Sequence, residues 1–367
     1  MMLTVFFYIL VATTAIQLIY FLCFSSILFS KKRTKKSNDK VPVSVIICAK
    51  NEAKNLQEFL PSIINQKYDH FEIVLINDAS SDDTLEIMES FKAKHKNIKI
   101  VNVKNNEAFW GNKKYALTLG IKTAKNGHLL FTDADCKPVS KYWIETMIQD
   151  FSKEKTIVLG YGKYKSQKTF VNLLVRFETL LTAIQYFSYA KLGNPYMGVG
   201  RNLAYKKEEF FKTNGFIKHI QIRSGDDDLF IQEAATKTNT AISLDPKSFT
   251  LSNPPLTLSQ WFRQKRRHVS TASYYKFNHK VLLGLYFISK LLFYPTAITL
   301  LFLMDWQLIT PIVALYFIGL LIVFGISAKR LQEKNIVFFL PFLETFLLLF
   351  QFSIFISNTF SKPTHWK

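Results

Sequence analysis

The sequence predicts an α/β domain, built on parallel strands, set between hydrophobic helices at both ends of the chain. Three observations predict it. Charge-free runs stand at the two ends, short apolar strands alternate with amphipathic stretches in the middle, and acidic residues fall where those strands end. Of the 367 residues 49% are hydrophobic and 34 are Phe, but the charge is concentrated in the middle. The average therefore hides two kinds of sequence.

From Leu3 to Ser30 there is no charged residue, a run longer than the roughly 20 residues that cross a bilayer. A cleaved signal would place basic residues before a shorter apolar core. Here the basic cluster, Lys31-Lys32-Arg33-Thr34-Lys35-Lys36, follows the run. Residues 1–30 read as an uncleaved anchor and 31–40 as a basic linker.

Three more runs fall within 280–360: Val281–Met304, apolar apart from Lys290; Leu308–Ser327, uncharged; and Ile336–Ser357, which contains only Glu344. They read as three further spans, the Lys290 run being the least regular, and 361–367 as a tail. Basic residues in short loops set orientation. Lys31 to Lys36, Lys265 to Arg267, and Lys329, Arg330 and Lys334 share one side if the N-terminus is outside. The middle segment, 41–279, is then cytoplasmic and Asp305-Trp306-Gln307 makes an external turn, while Lys362 and Lys367 break the rule.

The net charge is +20. A nucleic-acid binder would carry a basic helix or a basic-aromatic motif, and neither occurs. Anionic lipid head groups and phosphorylated substrates account for the excess, so a bilayer is an expected partner and nucleic acid is not. Cys23, Cys48 and Cys136 lack metal-type spacing and read as structural.

Within the middle segment, Val43–Cys48 reads as a buried strand. Asn51 and Glu52 follow, then Leu56, Phe59, Leu60, Ile63 and Ile64 at helical spacing. Phe71–Ile76 is a second strand, ending on Asn77-Asp78 before a loop and helix cap across Ser80 to Thr84. Ile98–Val103 is a third, and His128–Thr132 a fourth that runs into Asp133. Parallel sheets bind ligands at the carboxyl ends of their strands. Asp78 and the pair Asp133/Asp135 both stand at such ends, which favours a single site. No glycine-rich phosphate loop is present, which weighs against NAD and ATP chemistry. Asp133-Ala134-Asp135 alone could equally end a strand in a turn. Its chemical use would be to hold Mg²⁺ or Mn²⁺, which bind through one or two carboxylates plus substrate phosphates.

Five segments in order then resemble a known family: Val43–Ile47 with Lys50-Asn51-Glu52, Ile76–Asp82, Asp133-Ala134-Asp135, Ser224–Leu229, and Gln264–His268. They look like the successive signatures of family 2 inverting glycosyltransferases, in the membrane-bound branch that includes cellulose, hyaluronan and chitin synthases and ceramide glucosyltransferase. The resemblance covers about residues 41–270. It implies a GT-A catalytic domain, a Rossmann-like mixed sheet, with one N-terminal and about three C-terminal transmembrane helices in a bacterial inner membrane. It also implies transfer of a sugar from a nucleotide-sugar, a UDP-sugar in the first instance, to a lipid-linked or glycan acceptor at the cytoplasmic face.

The resemblance assigns roles residue by residue. Asn51, Glu52 and Asp78 would line the nucleotide, with Asp78 on the nucleoside; Lys113, in Gly111–Leu117, would lie near it. Asp133 would lie against the donor and Asp135 would hold the metal. Asp227 would be the general base for the acceptor hydroxyl, with Asp226 as the fallback, and Asp228 would cap a helix starting at Leu229. Gln264 and Arg267 would meet the leaving diphosphate, although Gln260 and Arg263 offer the same spacing. His268 stands where the family has Trp, which puts retention of a growing chain in doubt. Gly200 and Asn202, in Gly198-Val199-Gly200-Arg201-Asn202, would face the acceptor. Phe170, Leu174, Phe177, Leu181 and Ile184 form a helical stripe, suited to core packing or to a membrane interface. Two other readings stay open: a processive polysaccharide synthase, and a non-catalytic membrane subunit.

Overall fold

The computed structural model describes residues 1–29, 41–104 and 113–361. The linker cluster Lys31 to Lys36, the start of the Lys113 motif (Gly111 and Asn112), and Lys362 and Lys367 lie outside them. The chain falls into two compact units. One draws on Met1–Ser30, Gln167–Leu192 and Leu256–Pro363, the other chiefly on Lys31–Ser166 and Gly193–Pro255. The segment 41–279, contiguous in the sequence reading, is thus divided: its stretches from Gln167 and from Leu256 pack with the hydrophobic helices.

The second unit is built on strands β1 (Val43–Ala49), β2 (Phe71–Asp78), β3 (Ile98–Val103), β4 (His128–Phe131), β5 (Cys136–Pro138), β6 (Ile157–Leu159), β7 (Gly162–Tyr164), β8 (Leu203–Lys206), β9 (Thr240–Ile242) and β10 (Thr250–Ser252). Seven form one sheet in the order β3-β2-β1-β4-β8-β6-β9, and β5-β10-β7 form a second. The first four neighbours, β3 to β4, are parallel. β8 runs antiparallel to both β4 and β6, which makes the sheet mixed. β1 and β2 are buried on both faces, as strands covered by helices must be, hence their near-continuous apolar runs. The helix Ala53–Ile64 contributes Leu56, Leu60 and Ile63 to that core, against Val45, Ile47, Leu75 and Met147.

Strand order reverses beside β1, with β2 on one side and β4 on the other. Such a switch point opens a crevice at the carboxyl ends of the strands. Ile46 pairs with Phe131 and Cys48 with Ile76. That register brings Asp78 and Asp133 to the same edge of the sheet.

Among the described residues, the first unit holds four helices long and apolar enough to cross a membrane: Met2–Phe29, Phe277–Leu303, Trp306–Arg330 and Lys334–Phe360. Their mean hydropathy runs from 1.6 to 2.5. The charge that made the Lys290 run irregular has a partner inside the unit. Lys290 bonds to Glu344, the one acid of the last run, and Glu344 also accepts from the hydroxyls of Tyr294 and Tyr316, each at 2.7 Å. Lys290 and Glu344 are both buried. Paired ions with satisfied hydrogen bonds are what an apolar interior tolerates.

Helix Phe170–Lys191 belongs to this unit and buries Leu174, Phe177, Leu181 and Ile184 in it. Thr169 caps its start, accepting from the Asn172 N–H. Its buried Arg176 donates from Nε to Glu333 at 2.8 Å, and its Glu178 pairs with Lys265 at 2.6 Å. The stripe is therefore a packing surface.

Candidate active site

The Asp-x-Asp segment is the turn between β4, which ends at Phe131, and β5, which begins at Cys136. A carboxylate oxygen of Asp133, one of Asp135 and the Cys136 sulfur all lie within 4.8 Å of one another. Lys113, at the start of the helix Lys113–Thr123, sends its ammonium between two acids: 3.1 Å to Asp133 Oδ1 and 2.9 Å to Asp226 Oδ2. Asp227 follows, with Oδ2 accepting from the Gly200 N–H at 2.7 Å and Oδ1 from the Asp228 N–H at 2.8 Å. A cleft is lined by Lys113, Asp133, Gly200, Asp226 and Asp227, with Ile46, Leu203 and Tyr205 among its apolar lining.

Gly225 delivers these acids. Its φ of +90° is open to glycine and strained for other residues. A Cβ there would also come within 2.6 Å of the Leu229 side chain. The helix that follows is Asp228–Ala234, and its N-cap is Asp227. The cap thus stands one residue earlier than the sequence reading put it. Asp228, buried, accepts from the Leu229 N–H at 2.8 Å.

The electrostatics separate the acids. Burial, with Asp226 and Asp228 beside it, pushes the Asp227 carboxyl up to about 7, against the pull of the Gly200 N–H. Burial acts on Asp226 in the same direction, but the Lys113 ammonium and its hydrogen bond outweigh it and hold Asp226 below the usual range. Burial, Asp133 and Glu52 raise Asp135, with Arg201 opposing. Asp78 is raised by burial and moderated by Lys50 and Lys113. Its Oδ2 is buried and finds no hydrogen-bond partner among the described residues.

At the β1 and β2 ends, two loops are stitched together. Asn51 has φ +56°, and Ala79, after Asp78, has φ +49°. The Asn51 side-chain oxygen accepts from the Ser81 N–H at 2.8 Å, and the Glu52 N–H donates to Thr84 Oγ1 at 2.8 Å. Two non-glycine residues in the left-handed region flank Asp78, which is the kind of backbone strain that clusters at binding sites.

Asn202 departs from expectation. Its amide donates to the carbonyls of Tyr161 at 3.0 Å and Ser248 at 2.7 Å, and accepts from Trp143 Nε1 at 3.0 Å. It is fully buried. With both donors spent and no exposure, Asn202 is a framework residue and not an acceptor contact. Arg201, which sequence reasoning passed over, is the residue it missed. Arg201 stands beside Gly200 with its guanidinium carbon 4.3 Å from the Tyr164 ring centroid.

Gln264, Arg267 and His268 lie in the first unit, on helix Leu258–Val269. Spacings of three and four put them on one face of that helix. Trp261, on the same helix, is buried and stacks on Phe350, with ring centroids 4.1 Å apart. Arg266 is tied to the last helix through Asn358 at 2.9 Å.

A family model described as glycosyl transferase family 2 matches residues 44–216. That stretch is a family 2 glycosyl transferase domain. It contains Asn51, Glu52, Asp78, Lys113, Asp133, Asp135 and Gly200; Asp226 and Asp227 lie ten residues or so beyond its end. An uncharacterized glycosyltransferase of Haemophilus influenzae is 36% identical over 124 residues, 33% of this chain and 36% of that one. The poly-beta-1,6-N-acetyl-D-glucosamine synthase of a Staphylococcus epidermidis strain is 24% identical over 337 residues, 87% of this chain and 76% of its own length. The chain spans 36%, 32% and 54% of the length of three other curated relatives, the Haemophilus protein being the first of them. Among solved structures, the mannosyltransferase PcManGT of Pyrobaculum calidifontis, in complex with GDP-Man and Mn²⁺, superposes with a TM-score of 0.60 at 15% identity. It covers 92% of this chain and 97% of its own, a likeness of fold. The family 2 domain thus has the GT-A fold, a mixed sheet with helices, accompanied by one N-terminal and three C-terminal apolar helices.

Proposed function

We propose that this protein is an inverting glycosyltransferase that moves a sugar from a nucleotide-sugar, in the first instance a UDP-sugar, to a lipid-linked or glycan acceptor at the cytoplasmic face of a bacterial inner membrane. One observation carries the reading: a carboxyl poised near neutrality, Asp227, shares a single cleft with Asp133, Lys113 and Asp226. A general base works best when its pKa lies near the working pH. Asp227 takes the proton from the acceptor hydroxyl as that oxygen attacks the anomeric carbon. A single displacement needs a single base, so Asp226, held ionised by Lys113, serves instead to hold the lysine in place. Asp78, with an unspent buried oxygen, receives a donor group from the nucleoside. Asn51 and Glu52 shape the loop around it, and Gly200 holds Asp227 toward the acceptor.

Asp133 and Asp135 suit Mg²⁺ or Mn²⁺: their oxygens approach closely enough to share one ion, and oxygen donors are what these hard cations prefer. The bound ion supplies positive charge opposite a departing diphosphate. The resemblance assigns Gln264 and Arg267 to a diphosphate and His268 to the acceptor.

The test is a screen of nucleotide sugars, with Mn²⁺ or Mg²⁺, for thermal stabilisation and sugar transfer by the detergent-solubilised protein. At least one donor should stabilise it in a metal-dependent way, and Asp227→Asn should keep that binding while transfer falls roughly 10²–10⁴-fold. Donor binding by neither protein, or full transfer by Asp227→Asn, overturns the reading. The long match to a polysaccharide synthase favours a second reading, repeated transfer to a growing chain. Product length from one labelled donor decides between the two.

A further inference from the structure

In the three-stranded sheet, Ser252 of β10 is level with Tyr164 of β7 on one side and with Cys136 of β5 on the other. Tyr164, Ser252 and Cys136 therefore form a row, and the row ends at the Asp-x-Asp turn. Arg201 lies along it. Its guanidinium carbon is 4.3 Å from the Tyr164 ring centroid, and Nη1 donates to Ser252 Oγ at 3.3 Å. Ser252 Oγ is in turn 2.9 Å from the Cys136 sulfur, which is 3.4 Å from Asp135 Oδ1. The backbone of Arg201 is fixed from two sides, its carbonyl accepting from Thr132 Oγ1 at 3.1 Å and Thr250 Oγ1 at 3.0 Å. Gly162 leaves the room: a Cβ there would come within 3.3 Å of the arginine Nε.

A guanidinium offers five N–H donors. Among the described residues this one spends a single, long hydrogen bond. Ring stacking and a pinned backbone hold the fork in one orientation without consuming its donors, beside the two aspartates that would carry a cation. Planar forks of this kind match the oxygens of a phosphate, two bonds at a time. The contacts from Arg201 through Ser252 and Cys136 lead to Asp135, one of the two residues that would hold a cation.

We propose that Arg201 is a phosphate-binding residue of this site, taking phosphoryl oxygens either from the donor diphosphate or from the phosphate of a lipid-linked acceptor. The proposal rests on the glycosyltransferase reading for the identity of the ligand, but not for its test. Full-length protein in detergent with Mn²⁺ is titrated calorimetrically with inorganic pyrophosphate, UDP, uridine and farnesyl phosphate. Arg201→Gln should weaken one phosphate class at least tenfold and leave uridine within twofold; Arg201→Lys, which keeps the charge and loses the fork, should fall between. Loss confined to pyrophosphate and UDP assigns the donor, and loss confined to farnesyl phosphate assigns the acceptor. A merely structural brace would lower the thermal midpoint and weaken uridine and UDP together. The proposal is overturned by that result, by unchanged phosphate affinity in both variants, or by a wild type that binds no phosphate. Phosphate binding with no sugar transfer would count against the glycosyltransferase reading alone.

Discussion

Asp227 accepts hydrogen bonds from two backbone N–H groups, an arrangement that by itself favours the ionised form. Burial and two neighbouring aspartates overcome it. The consequence is a pH dependence with a definite sign. If Asp227 is the base, kcat/KM rises with pH through an acidic limb near 7, because only the ionised carboxylate takes the proton. Asp226→Asn, which removes the second-largest cause, should move that limb to lower pH; a limb that stays in place would mean that another group titrates. The same group makes the fold less stable as pH climbs from its unfolded value, about 3.9, through about 7, since the native state holds the proton longer. Sequence pointed to this residue only through the resemblance of Ser224–Leu229 to a family segment, since Asp227 caps a helix and ends no strand. It was silent about Arg201, whose contacts come from Tyr164 and from Ser252, 51 residues along the chain. No local pattern announces a partner at that distance. Asn202 misled for the related reason that a polar residue in a glycine-rich loop looks exposed until Trp143, Tyr161 and Ser248 close around it.

Among elements, the apolar helices and the first four strands were legible because their periodicities and lengths are unambiguous. The allegiance of the amphipathic helices was not. Phe170–Lys191 has the stripe of any packed helix, and periodicity does not say against what a stripe packs. Lys290 and Glu344 gave a similar puzzle, each an anomaly alone and an explanation together. Their pairing makes a prediction about helix assembly. Lys290→Met leaves Glu344 buried without its cation and should cost roughly 3–5 kcal/mol, the range for breaking a buried pair. Lys290→Met with Glu344→Leu should recover most of that loss, read as the thermal midpoint in detergent. Equal losses in the single and double variants would show that the pair contributes packing only.

For the whole molecule, the four apolar helices, with the basic residues near Lys265 and Lys329, predict one topology. A cysteine placed at Gln307, in the first turn of the third apolar helix, should react with a membrane-impermeant maleimide in intact cells. One placed at exposed Lys237, in the second unit, should react only after lysis. The reverse pattern would put the second unit outside and remove nucleotide-sugars as proposed donors. Composition foretold the two kinds of sequence, water-facing and apolar. It did not foretell that the water-facing stretch would give up Gln167–Leu192 and the residues from Leu256 to the apolar unit.

The bond between Lys290 and Glu344 also sets an order of events at the ribosome. Fifty-four residues separate the two, so the lysine leaves the ribosome well before its carboxylate has been made. Until the last helix arrives, an unpaired ammonium occupies the earlier one, where the bilayer penalises it. Helix Lys334–Phe360 therefore brings the partner that helix Phe277–Leu303 lacks, and a chain truncated before Glu344 would carry an uncompensated ammonium.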